Sequence, residues 1–526
     1  MGQIVYRANL SAKAFPLLTD FQGRTVIVPG PDNTFNRSLV SSEDVDRDVG
    51  VPILYYAHNV LPAPYGFNSV GYEQTVDGVS DNSTDFTSIR IIRSNPLSAE
   101  EPGPNVYFSS KPGTQYILNI GVAYWVAALA PVSYPLGAYN SFATVQGITY
   151  IFYKGIGCYK YNSVSNTLIP VALTGLVIAD IVGIASCQGY LIAHTKNKIF
   201  WSSTVDIDYT LNSVDFTPSL ITGAGSIIPE GAKGDITVVA TAAFGLTVYT
   251  SSNIVSGIYS GNSRYPFNFR EIVNSGGCTS DDFISYGADS GNQYAYTTSG
   301  IQLVNQTQTQ TVLPDITDFL AGQDFEDFDE ITLKFSRDVL SVPMTKKLIS
   351  VADRYFVVSY GKTSLTHAIV YDTAQKRYGK LKIEHTACFE FQYLDPTQSD
   401  APRKSIGFLK ANGTIVVLNP SVTFSFSTGV ILLGKFQYAR SRLLTLEGVV
   451  LQTIHPNQSA NVYNLSSETG GTVESQERTQ GYETSTTGQS QRTYDFHETA
   501  INHSILIVGG FFLSSLVLNF HIAGRR

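Results

Sequence analysis

The densest set of groups that could do chemistry is a run of carboxylates: Asp324, Glu326, Asp327, Asp329 and Glu330, interrupted by Phe325 and Phe328. A calcium loop of the EF-hand kind needs oxygen ligands at fixed positions around a central glycine, and that glycine is missing. The interleaved phenylalanines fit a loop pinned by its rings with the acids in water, or an acidic lining turned toward a channel or a neighbour. Two carboxylates ~5–9 Å apart across a cleft could hydrolyse a glycosidic bond, and a linear sequence does not place such a pair. The histidines (His58, His194, His367, His385, His455, His497, His503 and His521) are scattered without an HExxH pattern, and there is no Walker A motif and no GxSxG elbow. His194 and His367 fall in strand patterns, where a packed or turn-facing imidazole is expected. The clearest basic patch is Lys435, Arg440 and Arg442 in GKFQYARSR. It could contact phosphate, or its charges could guard the edge of an exposed strand. The four cysteines, Cys158, Cys187, Cys278 and Cys388, are widely and irregularly spaced with no CxxC pair, which points to buried free thiols in a chain made in a reducing cell. No catalytic residue, cofactor site or metal site emerges from these patterns, and the chain is not expected to be an enzyme.

Whatever these groups do, β-structure must position them. The chain has 526 residues, with 31 Tyr, 29 Phe and 44 Gly, and charged residues make up 15%, against ~25% in an average soluble domain. That hydrophobicity excludes disorder throughout, and the composition argues against a helical bundle. A surplus of Tyr, Phe, Val, Ile and Thr punctuated by Gly, Asn, Asp and Ser predicts an all-β fold. The net charge of −8 gives no sign of a basic nucleic-acid reader.

From about residue 85 onward a theme repeats: hydrophobic strand, polar turn, strand, turn, strand. Copies occupy 147–173, 189–203, 235–259, 283–304, 354–383 and 405–418, the last with an Asn412-Gly413 hairpin turn. Taken as second strands, segments centred at Tyr150, Tyr190, Val238, Ile284, Phe356 and Ile406 are separated by 40, 48, 46, 72 and 50 residues. Propeller blades recur at ~40–50 residues, each a four-stranded antiparallel sheet that buries its faces only against neighbouring blades. The sequence therefore predicts a β-propeller of six to eight blades over 86–420. The long gap predicts an insertion at 307–345, with a short amphipathic helix around Pro314, Ile316, Phe319 and Leu320.

Residues 1–85 are expected to supply a platform and to close the propeller, and 421–526 a C-terminal β platform. The stretch 456–500 is polar and nearly free of aliphatic residues, and is expected to be an extended loop or exposed ribbon. The strands LLTLEGVVLQTI and SILIVGGFFLSSLVLNFHI on either side of it are expected to pair with each other. Within Ile505–Leu518 the apolar run is shorter than the ~20 residues of a membrane helix, and Gly509-Gly510 predicts two buried strands about a bend. The N-terminal residues lack the basic and apolar regions of a secretory signal.

One segment is specific beyond its pattern. DVGVPILYYAHNVLPAPYGFNSVGY (48–72) resembles a segment near the start of tail proteins of short-tailed bacteriophages, through Tyr56, Asn59, Val60, Leu61, Pro62, Gly66, Ser69, Val70 and Tyr72. The segment 199–236 is similar to a propeller strand of such proteins that leads through an Asp-Phe-x-Pro-Ser loop to a glycine-rich turn. The stretch 244–278 matches them at Tyr249, Asn253, Tyr259, Pro266, Phe267, Phe269, Gly276 and Gly277, and the closing GGFFLSSLVLNFHIAGRR is similar to their last strand pair. The resemblance is to the podovirus tail nozzle, or tail tubular protein, family. It implies a virion structural protein assembled in host cytoplasm, with six copies around a channel beneath the portal and the adaptor (head-to-tail connector). It further implies a channel that passes double-stranded DNA into the host at its outer surface, with tail fibres or tailspikes docked nearby. A fibre-anchoring collar or adhesin, and a propeller glycosidase acting on host polysaccharide, are the rival expectations.

Overall fold

Short runs of β-branched and aromatic residues, each stopped by a glycine or small polar turn, fold here as strands. The computed structural model describes residues 3–9, 17–19, 25–27, 53–63, 66–69, 73–75, 88–93, 105–111, 114–119, 124–127, 140–162, 167–203, 211–243, 245–262, 264–286, 293–312, 324–329, 334–339, 346–352, 354–361, 363–373, 377–393, 403–418, 429–436, 442–453, 460–467, 477–487 and 491–525. Among these are 45 strands and two single-turn 3-10 helices, Ile178–Asp180 and Asp281–Phe283.

Seven antiparallel sheets succeed one another along the chain, over 88–127, 140–174, 183–227, 236–271, 284–311, 346–385 and 387–418, and are numbered here as blades 1 to 7. Each pairs its strands in chain order as a meander. Blade 7 takes its fourth strand, Glu73–Thr75, from the N-terminal segment, paired with Ile415–Leu418. Blade 2 gains a fifth, parallel strand, Ser213–Asp215, which covers the edge of Thr167–Thr174. Because neither face of a blade can be left in water, cores form between blades. Phe152 meets Leu191 and Ala193 between blades 2 and 3. Ile192 and Trp201 meet Val248 and Phe267 between blades 3 and 4, and Tyr249 and Ile254 meet Ile284 and Ala295 between blades 4 and 5. The Tyr294 and Phe356 rings lie 4.6 Å apart between blades 5 and 6, Val357 and Val370 meet Phe408 and Val416 between blades 6 and 7, and the first strand of blade 7 touches that of blade 1. Each Val, Leu, Ile or Phe so buried contributes about 1.5–3 kcal/mol. The fold is a β-propeller.

The repeat spacing reads true with two adjustments. Val238 and Ile284 lie on the first strands of blades 4 and 5, not the second, so part of the irregular spacing is a shift of one strand. Blade 1, over 88–127, is a blade that the repeat copies do not include. The interval 307–345 begins inside blade 5, whose last strand is Thr309–Thr311. Further along, that interval holds a hairpin of Asp324–Asp329 with Lys334–Val339. The helix expected around 314–320 lies outside the described residues.

Beyond the wheel are two further large sheets, besides a hairpin of Leu17–Thr19 with Thr25–Ile27. The long one leaves blade 6 through Arg377–His385 and continues through Val60–Ala63, Gly66–Ser69, Phe512–Arg525, Arg442–Thr453, Gln491–Ala500 and Tyr482–Thr487, with Gln3–Asn9 also along Phe512–Arg525. The second runs Ile53–His58, Gly429–Phe436, Asn502–Gly509, Ala460–Ser467, Glu477–Gln480. The expected pairing of the two apolar flanks is present, Arg442–Thr453 against Phe512–Arg525. The bend at Gly509-Gly510 does separate two strands, but they enter different sheets. The polar stretch 456–500 is corrected: it holds four strands, with Val462, Leu465, Tyr494 and Phe496 buried. Sparse apolar residues at alternate positions, such as Tyr494 and Phe496, anchor one face of these strands while polar and charged residues occupy the rest.

Candidate functional site: the joint between propeller and platform

The described residues of 48–72 form the joint. Ile53–His58 lies in the second sheet and Val60–Ala63 in the long sheet, so the chain changes sheet at Asn59. Asn59 adopts a left-handed backbone (φ 50°), a conformation that asparagine tolerates better than most residues. Its Oδ1 accepts the backbone N–H of Lys382 in blade 6 at 2.9 Å. Val60 is fully buried and pairs with Lys380, and Leu61 enters the core between blades 6 and 7. A second change of sheet occurs at Gly509-Gly510, and Ser69 holds it. The Ser69 N–H donates to Phe511 O at 2.8 Å, and the Phe511 N–H donates to Ser69 Oγ at 2.9 Å. A Cβ on Gly429 would lie 2.6 Å from Ser69 Cβ, so that position admits only glycine without movement.

Ser69→Ala removes the acceptor of a buried backbone N–H. Leaving such a donor unpaired costs about 2 kcal/mol, to be read as a lower urea midpoint with an unchanged slope; an unchanged midpoint would mean that Ser69 does not hold the corner.

The same logic stitches the blades. Tyr249 Oη donates to Gln293 Oε1 at 2.7 Å, and Gln293 Nε2 donates to Thr241 O at 2.8 Å. Buried Asn253 accepts the Lys233 N–H and donates to Gly231 O. Gln302 accepts the Gly276 N–H and donates to Asn274 O. Tyr249, Asn253, Gly276 and Gly277, which carry part of the family resemblance, thus build the junctions between blades. Their partners Gln293 and Gln302 carry no signal in the sequence; nothing local distinguishes them from surface glutamines.

The residues with the types and spacing for chemistry are not brought together. Asp324, Glu326, Asp327 and Asp329 lie on a strand, which corrects the expected loop, and Glu330 lies outside the described residues. Pairing puts Glu326 opposite Arg337 and Asp329 opposite Lys334, and opposite charges at facing positions favour such a pairing. Lys435 lies on Gly429–Phe436, which has a neighbour strand on both sides, so it guards no edge. It falls at the register shift between Gly434 and Phe436. Arg442 pairs with Arg525 at the start of a strand that is likewise flanked on both sides, and Arg440 lies outside the described residues.

All four cysteines are buried and none is in a disulfide, and burial pushes the thiols of Cys158, Cys187 and Cys278 up to about 12, away from the reactive thiolate. His194 and His385 are buried, and desolvation lowers each to about 4. His385 Nδ1 meets Ile383 O at 2.8 Å and its Nε2 meets Ser359 Oγ at 2.7 Å. His367 stacks on Tyr360. These are packed imidazoles, as the strand patterns imply for His194 and His367. Among the described residues no group of three or more His, Cys, Asp or Glu is placed to hold a metal ion, and no helix is long and apolar enough to cross a membrane.

No family model matches the chain, and no curated protein matches it. Among solved structures, a mitotic checkpoint complex matches with TM-score 0.33 at 11% identity, covering 66% of this chain and 90% of that one. The extracellular domain of a one-component system from B. thetaiotaomicron matches with TM-score 0.41 at 10% identity, covering 95% and 66%. The WD40 β-propeller domain of Doa1 matches with TM-score 0.36 at 6% identity, covering 67% and 98%. At these scores the likenesses decide nothing about what the chain does.

Proposed function

We propose that this chain is the nozzle subunit of a short bacteriophage tail, a virion protein whose copies form a six-fold tube. One end of the tube meets the adaptor, fibres or spikes dock on it, and it conducts double-stranded DNA toward the host. The observation that carries the reading is the joint. The segment 48–72, which bears the most specific resemblance, supplies the strands through which one sheet runs unbroken from inside blade 6 into the platform. Wheel and platform are thereby one mechanical piece, which suits a part that must transmit load. The charge balance is compatible with a wall that DNA slides past: each phosphate gripped by a cation adds affinity that a moving duplex must break, and the chain carries 35 cationic against 43 acidic side chains. In this reading the protein works by packing and electrostatics and makes or breaks no bond.

Electron microscopy of the purified full chain tests this. Six-fold rings with an open centre are expected; trimers would favour a fibre anchor or spike, and release of reducing ends from host polysaccharide at enzymatic rates would favour a glycosidase.

A further inference from the structure

The outer rim of the wheel carries a loop that the joint does not involve. Residues 216–224 connect Ser213–Asp215, the strand added to blade 2, with Gly225–Ile227, the outermost strand of blade 3. The loop is braced from within and from below. The Ser219 N–H donates to Ala224 O at 3.1 Å, and the Gly223 N–H donates back to Ser219 O at 3.0 Å. The Ser219 hydroxyl accepts the Ile221 N–H at 3.2 Å. Ser203 Oγ donates to Thr222 O at 3.2 Å, and the indole N–H of buried Trp201 donates to Gly223 O at 2.8 Å. On this frame Leu220 and Ile221 stand 78% and 93% exposed. A braced loop loses little freedom when it binds, while two aliphatic side chains at its tip gain by leaving water.

We infer that Leu220 and Ile221 form the knob by which each copy of this chain grips the next, seated on the rim of the neighbour's blade 4. The inference rests on the proposed six-fold tube and names a contact that closes it. A ring closes through heterologous contacts, in which one patch of a copy meets a different patch of the next. Phe267–Glu271, the outermost strand of blade 4, ends its sheet, and it is flanked by exposed Tyr265 on one side and exposed Val273 on the other. The same chain thus presents an apolar knob at one place on its rim and an apolar seat at another.

Charge favours the same pairing. Residues 216–229 hold no charged side chain, so the knob lacks the Lys and Arg that hold a segment to a membrane surface. The charges flanking it are acidic: half-buried Asp215, and exposed Asp180 on the turn that packs against Thr217 through Gly175. The seat is flanked by exposed Arg264 and Arg270, and its Glu271 is taken up by Lys233 at 2.7 Å. An apolar centre with opposite charges at its edges is the make-up of a specific protein contact.

Native mass of the full chain, followed on dilution at pH 7.5, tests the contact. Against a wild type of six chains, Leu220→Asp combined with Ile221→Asp is expected to raise the concentration for half-assembly roughly a hundredfold. Val273→Asp, on the seat, is expected to raise it roughly tenfold. All three side chains stand in water within one chain, so the circular-dichroism spectrum is expected to stay that of the wild type. Should the charged pair fail to fold, Ile221→Ser serves in its place, with a rise of roughly tenfold. Wild-type rings together with unweakened rings from a folded knob or seat variant overturn this inference alone and leave the proposed function standing. A wild-type monomer overturns both.

Discussion

Gly277→Ala should destabilise the chain by about 3 kcal/mol, the upper range for forcing atoms into a packed site. A Cβ built on Gly277 would lie 2.0 Å from the backbone oxygen of Ser251 and 2.4 Å from its carbon. Neither side can give way cheaply. The Gly277 N–H is held by Thr298 Oγ1, its carbonyl accepts the Thr298 N–H, and the Cys278 N–H is tied to Thr250 O. The junction between blades 4 and 5 closes on this point. Gly155→Ala is the control. Its φ of +77° makes an alanine conformationally costly, but nothing lies within 4 Å, so the cost should be only about 1 kcal/mol. Urea denaturation of both variants separates the two causes; equal losses would show that the junction yields.

The second large effect is in acid. Burial holds the His194 and His385 imidazoles near 4 in the folded chain, against about 6.5 when unfolded. A lowered folded value means that the unfolded chain takes up the proton first. These groups therefore leave stability unchanged above pH 6.5, reduce it as pH falls from 6.5 to 4, and contribute no further slope below 4. Full protonation of the unfolded chain alone costs about 3 kcal/mol per histidine. His194 is the sharper case, since its Nδ1 is buried with no hydrogen-bond partner. Denaturation midpoints measured between pH 7.5 and 4.5 should fall steeply, and His194→Gln should flatten that slope. A slope unchanged by the substitution would show that carboxylates, not this imidazole, set the acid limit.

How much of this is legible in the sequence depends on how local the cause is. Strand and turn patterns are local, so six of the blades are visible as repeats. Blade 7 is completed by Glu73–Thr75, far away in sequence, and no pattern in three residues announces such a partner. The Asn412-Gly413 hairpin is present, with Gly413 at φ +84° and its N–H bonded to Lys410 O. The acidic run misleads because its partner strand, Lys334–Val339, sets Arg337 opposite Glu326 and Lys334 opposite Asp329 in register; a carboxylate cluster reads as a loop until that strand is seen. The polar stretch 456–500 misleads for a related reason: its strands are sheltered by neighbours such as Asn502–Gly509, which carry the apolar residues that it lacks. At the joint, Asn59 and Ser69 stand out by resemblance, while their roles at two strand corners depend on Lys382 and Phe511, distant in the chain.

The central claim is that these fused wheels and platforms assemble into a closed tube. The native mass of the purified full chain, measured at micromolar concentration and pH 7.5, addresses it most directly. The account predicts a single species at six times the 57.3 kDa of one chain. A stable monomer, or a trimer that does not convert on concentration, would contradict it.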